Sequence, residues 1–356
     1  MSTYFLTGAV FGSLLAAGAS VHAGTIRHDR DATSHLQLGN QSPTVGSIYV
    51  TIDFGGLQGT GTLASGVLIA PDWILTAAHV TDALDESAGL VVGVGFVPAQ
   101  DPHTGSPILT PPGSPYFEVE YFDWVSHPGW AAAKEAWLAA HPGDEEGAAQ
   151  AQLMAGYDIA LVHLATPVTD IVPVTRYGGS GEVGQTGIYA GYGMRGTGLT
   201  GTVTSDELRR AGHNMIDLVG GSFPMGAFSD RILFSDFDDP GNVNPTNSMG
   251  DALPLDLEYS ISAGDSGGPV YVDFPDDGLG PVLVGINSFN GAFGPGDPFP
   301  GDNDPNSQYD EFFGATRVSA FNDWINATAA IPEPGSLAGV GLIAAALLGR
   351  RSRRRS

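Results

Sequence analysis

The chain has 356 residues, 42% of them hydrophobic, which is enough to bury a substantial core and excludes a disordered chain. Its 39 acidic residues against 14 basic ones leave no basic stripe for phosphates, which argues against a nucleic-acid partner and implies an acidic, salt-tolerant surface. There is no cysteine, so stability must come from the core, and 51 glycines with 25 prolines favour many short strands over long helices.

The first element is the apolar run Thr7 to Ala23 (TGAVFGSLLAAGASVHA), with Val21 and Ala23 at the small-residue positions of an export cleavage site. Glycines interrupt it and the polar stretch RHDRDATSH follows at once. Residues 1–23 therefore read as a signal peptide cut after Ala23, although no Lys or Arg precedes the run.

Residues 24–330 follow as one body. Runs of strand length recur along it: SIYVTID, SGVLIAP, WILTAAHV, YFEVEYF, DIALVHL, GIYAGYG, GPVYV and PVLVGINSF. Gly, Pro and Asp clusters separate them, the spacing of an all-β sandwich or barrel. Residues 130–154 depart from this, since their alanines and helical spacing predict one or two surface helices inserted in a loop. His79 closes the strand WILTAAHV, packed by Ala77 and Ala78, and Asp158 precedes the strand IALVHL. The acidic loops FSDFDDPGNVNPTNSMGD and GPGDPFPGDNDPNSQYDE offer oxygens to calcium but lack the spaced EF-hand pattern. They read as solvated loops, and no metal or other cofactor is expected. GDSGGP then opens a strand, with the hydroxyl of Ser266 set between Asp265 and two glycines.

Singly, a strand-end histidine, a turn aspartate and a turn serine are ordinary structural residues. In the order His79, Asp158, Ser266 they match one of the chain orders of a Ser-His-Asp triad. A serine hydroxyl is a poor nucleophile unless a base takes its proton, and the imidazole of His79 can do this and later protonate a leaving amine. Asp158 would fix the tautomer of that imidazole. Backbone N–H groups of Gly264 and Ser266 would face an oxyanion, each donor contributing roughly 10²- to 10³-fold in rate. A triad hydrolase of the esterase type fits poorly, because there the histidine comes last in the chain.

These motifs resemble the trypsin/chymotrypsin-like serine protease family. SGVLIAPDWILTAAHV is similar to the strand pair leading to the family's histidine, and GYGMRGTG to its glycine-aromatic-glycine turn. VLVGINSFN resembles the strand walling the substrate cleft, and ATRVSAFNDWINA the closing C-terminal helix. The resemblance implies two packed antiparallel β-barrels, a peptide or protein substrate, and a pocket formed by Ser260, Ile261, Ser288 and Asn290. Ser260, six residues before the nucleophile, is uncharged, which disfavours cleavage after Lys or Arg and points to a small or apolar residue. A surface-displayed binding or matrix protein that keeps this fold without turnover is the alternative. Zymogens of the family free an N-terminus whose amine pairs with the aspartate before the serine, here Asp265. No Ile-Val-Gly-Gly-like stretch is evident: PTVGSIYV reads as the first barrel strand, and TIRHDRD is too polar to judge.

The last segment, 331–356, has Pro332, Glu333 and Pro334, then an apolar run of about 14 residues from Ser336 to Gly349, then clustered arginines. The run is short against the roughly 20 residues of a stable span. This order resembles the PEP-CTERM sorting tail of Gram-negative bacteria. It implies an exosortase-type processing enzyme as partner, transient contact with the inner membrane through the apolar run, and delivery of the body to the cell surface or matrix.

Overall fold

The computed structural model describes residues 24–330 apart from 54–57, 87–90, 97–115, 205, 207, 227, 242–248, 251–252, 276–277 and 294–303. The expected signal peptide at 1–23, the expected sorting segment at 331–356 with its apolar run, and much of both acidic loops lie outside the described residues. Among the described residues no helix is long and apolar enough to cross a membrane.

In chain order the elements are β1 (Thr25–Ile26), α1 (Ala32–Asn40), β2 (Val45–Asp53), β3 (Gln58–Ala70), β4 (Trp73–Thr76), α2 (Ala78–Glu86), β5 (Val91–Gly95) and β6 (Tyr116–Ser126). Next come α3 (Pro128–Ala140), α4 (Glu145–Ala155), β7 (Ala160–Leu164), β8 (Thr186–Gly191), β9 (Arg195–Thr197), β10 (Gly201–Thr204), β11 (Arg210–Met215) and β12 (Leu218–Val219). The last are β13 (Ile232–Asp236), β14 (Tyr259–Ser260), β15 (Pro269–Asp273), β16 (Pro281–Gly291), β17 (Phe312–Arg317) and α5 (Asn322–Ala329).

Strands β2-β3-β4-β7-β6-β5 close into a barrel, and β11-β8-β15-β16-β17-β13-β12 form a second, curled antiparallel sheet. The all-β, two-barrel architecture with a closing C-terminal helix, expected from the strand spacing and the family resemblance, is the one found. Ile48, Val67, Leu68, Ile74, Leu75 and Leu161 fill the first barrel. Each such side chain stabilises the fold by about 1.5–3 kcal/mol relative to exposure. Val318, Phe321 and Ile325 join the same core, which is how α5 is held on. Tyr189, Val270, Val284 and Phe313 fill the second sheet, and a cluster of phenylalanines around Phe234 covers its far end.

Three features go beyond the sequence reading. The polar stretch after residue 30 forms α1, started by Asp31, whose carboxylate accepts from the N–H of Thr33 at 2.9 Å. A small third sheet, β10-β9-β1-β14, lies beside the large one, with β1 antiparallel to β14 and parallel to β9. His79 sits in the first turn of α2, not at a strand end, because β4 stops at Thr76. The inserted helices are present as α3 and α4, capped by His127 and Asp144, and α4 ends at Gly156 with φ +69°.

Candidate active site

Register brings the first two site residues together. β4 and β7 pair antiparallel with Thr76 opposite Ala160. His79 lies three residues beyond Thr76 and Asp158 two residues before Ala160, so both emerge at the same end of the pair. His79 Nδ1 is 2.8 Å from Asp158 Oδ2, and the His79 backbone N–H donates to Asp158 Oδ1 at 2.9 Å. Ser288 Oγ donates to the same Oδ2, and Thr316 Oγ1 donates to the Asp158 carbonyl at 2.8 Å.

Asp158 is 1% exposed. Burial alone would raise its pKa, but the charge and hydrogen bond of His79, with donors from Ser288 and the His79 backbone, hold it below the ordinary carboxylate value. Burial alone would depress His79. The charge and hydrogen bond of Asp158, then the charge of Asp82, outweigh this and hold the imidazole above its ordinary value. An ionised Asp158 accepts only, so the neutral imidazole carries its proton on Nδ1 and leaves Nε2 as the base.

Ser266 lies in the turn between β14 and β15, half-buried. That turn is fastened to the first barrel through Ser65. Ser65 N donates to Ser266 O at 2.9 Å, Ser65 Oγ donates to Gly264 O at 2.8 Å, and Tyr192 N donates to Ser65 Oγ at 2.9 Å. A Cβ at Gly267 would lie 2.0 Å from Thr76 Oγ1 and 2.3 Å from Ser65 O, so the turn presses on the strand end that leads to His79. Gly264 and Gly267 have φ of +96° and +80°, conformations that favour glycine. The N–H groups of Asp265, Gly267 and Gly268 are bonded to Ser262 O, Asn287 O and Asp265 O. No acceptor among the described residues takes those of Gly264 and Ser266.

Asp265, the residue before Ser266, is fully buried. Its Oδ1 accepts from Gly193 N at 2.8 Å, and its Oδ2 from Ser262 N at 2.9 Å, Gly24 N at 3.0 Å and Tyr259 OH at 3.3 Å. These donors are all neutral, and burial pushes the carboxyl up to about 6. A Cβ at Gly193 would sit 2.5 Å from the Asp265 carboxyl carbon, which gives the glycine-aromatic-glycine turn its reason. The partner that the sequence left open thus includes the backbone nitrogen of Gly24, the first residue after the expected export cleavage.

The expected pocket residues fall into two groups. Ser288 turns to Asp158. Ser260 is fully buried in β14 opposite Thr25, and Ile261 is in the core of the second sheet. Asn290 Nδ2 donates to Ile261 O at 2.6 Å and lies 3.1 Å from Ser307 Oγ, which itself donates to Ile261 O at 2.9 Å. Ser65, Thr316, Ser307 and Gly24 carry no local sequence signal and become visible only through the fold. Among the described residues no group of three or more metal-ligating side chains is arranged to hold an ion.

Compared with known families, the chain matches the model described as Trypsin over residues 37–325. No curated protein matches it.

Proposed function

Because the chain belongs to the trypsin family, a family of serine-type peptidases acting on peptides, we propose that it is an exported serine endopeptidase using His79, Asp158 and Ser266. The observation that carries the reading is the buried Asp158 carboxylate gripping His79 at both Nδ1 and the backbone N–H, on the strand end against which the Ser266 turn is pressed.

In this reading Ser266 Oγ attacks the scissile carbonyl carbon while His79 Nε2 takes its proton. The oxyanion receives the N–H groups of Gly264 and Ser266, which no described residue occupies. The imidazolium, stabilised by ionised Asp158, gives the proton to the leaving amine. Water, deprotonated by the same nitrogen, then releases the acyl group from Ser266. The uncharged Ser260 disfavours cleavage after Lys or Arg, so a small or apolar residue before the cleaved bond is expected.

Export supplies the rest of the reading, with domains at 1–23, 24–330 and 331–356. Cutting after Ala23 would turn the Gly24 nitrogen into an ammonium 3.0 Å from Asp265, supplying a cation to a buried carboxylate whose other donors are neutral. The tail would be read by an exosortase-type enzyme at the inner membrane of a Gram-negative cell and removed, leaving the body at the cell surface or matrix.

Peptide-library hydrolysis by the mature protein tests the activity. The expected result is cleavage after small or apolar residues that falls by roughly 10⁴-fold or more in Ser266→Ala. Hydrolysis unchanged by that substitution, or absent from the mature protein, would overturn it.

A further inference from the structure

Near its start the inserted helical pair carries a buried indole aimed at the helix that carries His79. Trp130, in the first turn of α3, is 3% exposed and packs with Ala78 and Ala160. Ala78 adjoins His79, and Ala160 is two residues from Asp158, so one side chain touches both segments that present the pair. The indole Nε1–H donates to Asp82 Oδ2 at 2.7 Å. Asp82 is three residues beyond His79 on α2, so the two share a helix face.

Trp130 is itself fixed from behind. Its N–H donates to His127 O at 2.9 Å, and its carbonyl accepts from Gln152 Nε2 on α4 at 3.1 Å. Leu153 of α4 and Tyr157 pack on the same cluster.

We propose that the inserted helices position the general base. Trp130 clamps α2 and orients Asp82 as a second carboxylate beside the His79 imidazole, so that Asp82 acts through His79 as a positioning and charge-stabilising residue. This inference rests on the triad reading above.

The charges facing each group agree. The charges of Asp158, which His79 contacts, and of Asp82, one helical turn along α2, both favour the protonated form of His79. Burial pushes Asp82 up. The indole N–H and His79 oppose this, while Asp158 and Asp85 add to it. Asp82 is held above its ordinary value on balance, and the Trp130 hydrogen bond works against that rise, favouring the ionised form that assists His79. When His79 accepts the Ser266 proton, the new positive charge is favoured by the charges of two carboxylates instead of one.

The test is the pH dependence of kcat and kcat/KM for peptide hydrolysis by the mature protein and its Asp82→Asn, Asp82→Glu and Trp130→Phe variants. In Asp82→Asn the acid limb of kcat/KM should move down by about half a pH unit, as expected for removing one nearby charge, and kcat should fall about three-fold with KM unchanged. Asp82→Glu should restore the wild-type limb, and Trp130→Phe should move it the same way by less. Titration of the His79 imidazole by NMR in Ser266→Ala, with and without Asp82→Asn, reads the same shift without turnover and serves if Trp130→Phe does not fold. An active wild type whose acid limb and His79 titration are unmoved by Asp82→Asn would overturn the inference alone. A wild type inactive at every pH would overturn the proposed function and this inference with it.

Discussion

Asp158 accepts from His79 twice and from Ser288 once, and this is what separates the aspartate from an ordinary turn residue. Because His79 is held above its ordinary value and must be neutral to act as base, kcat/KM should fall as pH drops through a midpoint above 6.5, the ordinary histidine value. A steady-state pH profile checks this, and a midpoint at or below 6.5 would count against it. Ser288→Ala removes one donor to the buried carboxylate and should lower kcat about ten-fold, the equivalent of one hydrogen bond to a charged group. His79, Asp158 and Ser266 could be picked out together from the chain because each sits in a short motif and the three occur in a meaningful order. Ser65 could not, since its role comes from contacts with Gly264 and Ser266 about two hundred positions away.

At the level of elements, the least legible was β1. Two residues carry no periodicity, yet Thr25 and Ile26 are buried and pair with both β14 and β9, which delivers the Gly24 nitrogen to Asp265. Gly24 has φ +56°, and a Cβ there would meet the Tyr259 ring at 2.0 Å, so the site takes glycine alone without rearrangement. A mature protein with one extra residue before Gly24 places a neutral peptide group beside Asp265 where an ammonium would stand. Its kcat should fall at least ten-fold with the circular dichroism spectrum unchanged, and full activity would contradict the maturation reading. α1 was hidden for a different reason. Its buried residues are His35 and Gly39, so no apolar stripe announces it. The inserted pair α3–α4 was visible because its alanines break the strand pattern, whereas α2 was absorbed into an apolar run that looked like continuing strand.

Across the whole molecule, the site lies on the seam between the barrel and the curled sheet. The seam is fastened by polar contacts that strand patterning cannot reveal. Arg209, 2% exposed, leads into β11 of the sheet and donates to Gly39 O of α1 and Val45 O of β2, both at 2.9 Å. Thr44 Oγ1 and Tyr271 OH add a contact at 2.7 Å. Arg209→Ala strands two carbonyls and empties a buried space, so urea unfolding should register a loss of about 3 kcal/mol or more. The all-β body was legible in Gly- and Pro-bounded apolar runs of strand length, which fit a sandwich as well as a barrel, and the two barrels were legible only through the family resemblance. How the two halves meet was not, because that depends on buried arginine and serine side chains whose partners are set by topology.

The central claim is that Ser266 is a nucleophile activated by His79. Labelling of the mature protein with a fluorophosphonate probe, followed by peptide mapping of the adduct, tests it most directly. The expected result is one adduct, on Ser266, absent from Ser266→Ala and His79→Ala. An adduct elsewhere, or no labelling of correctly trimmed protein, would contradict it.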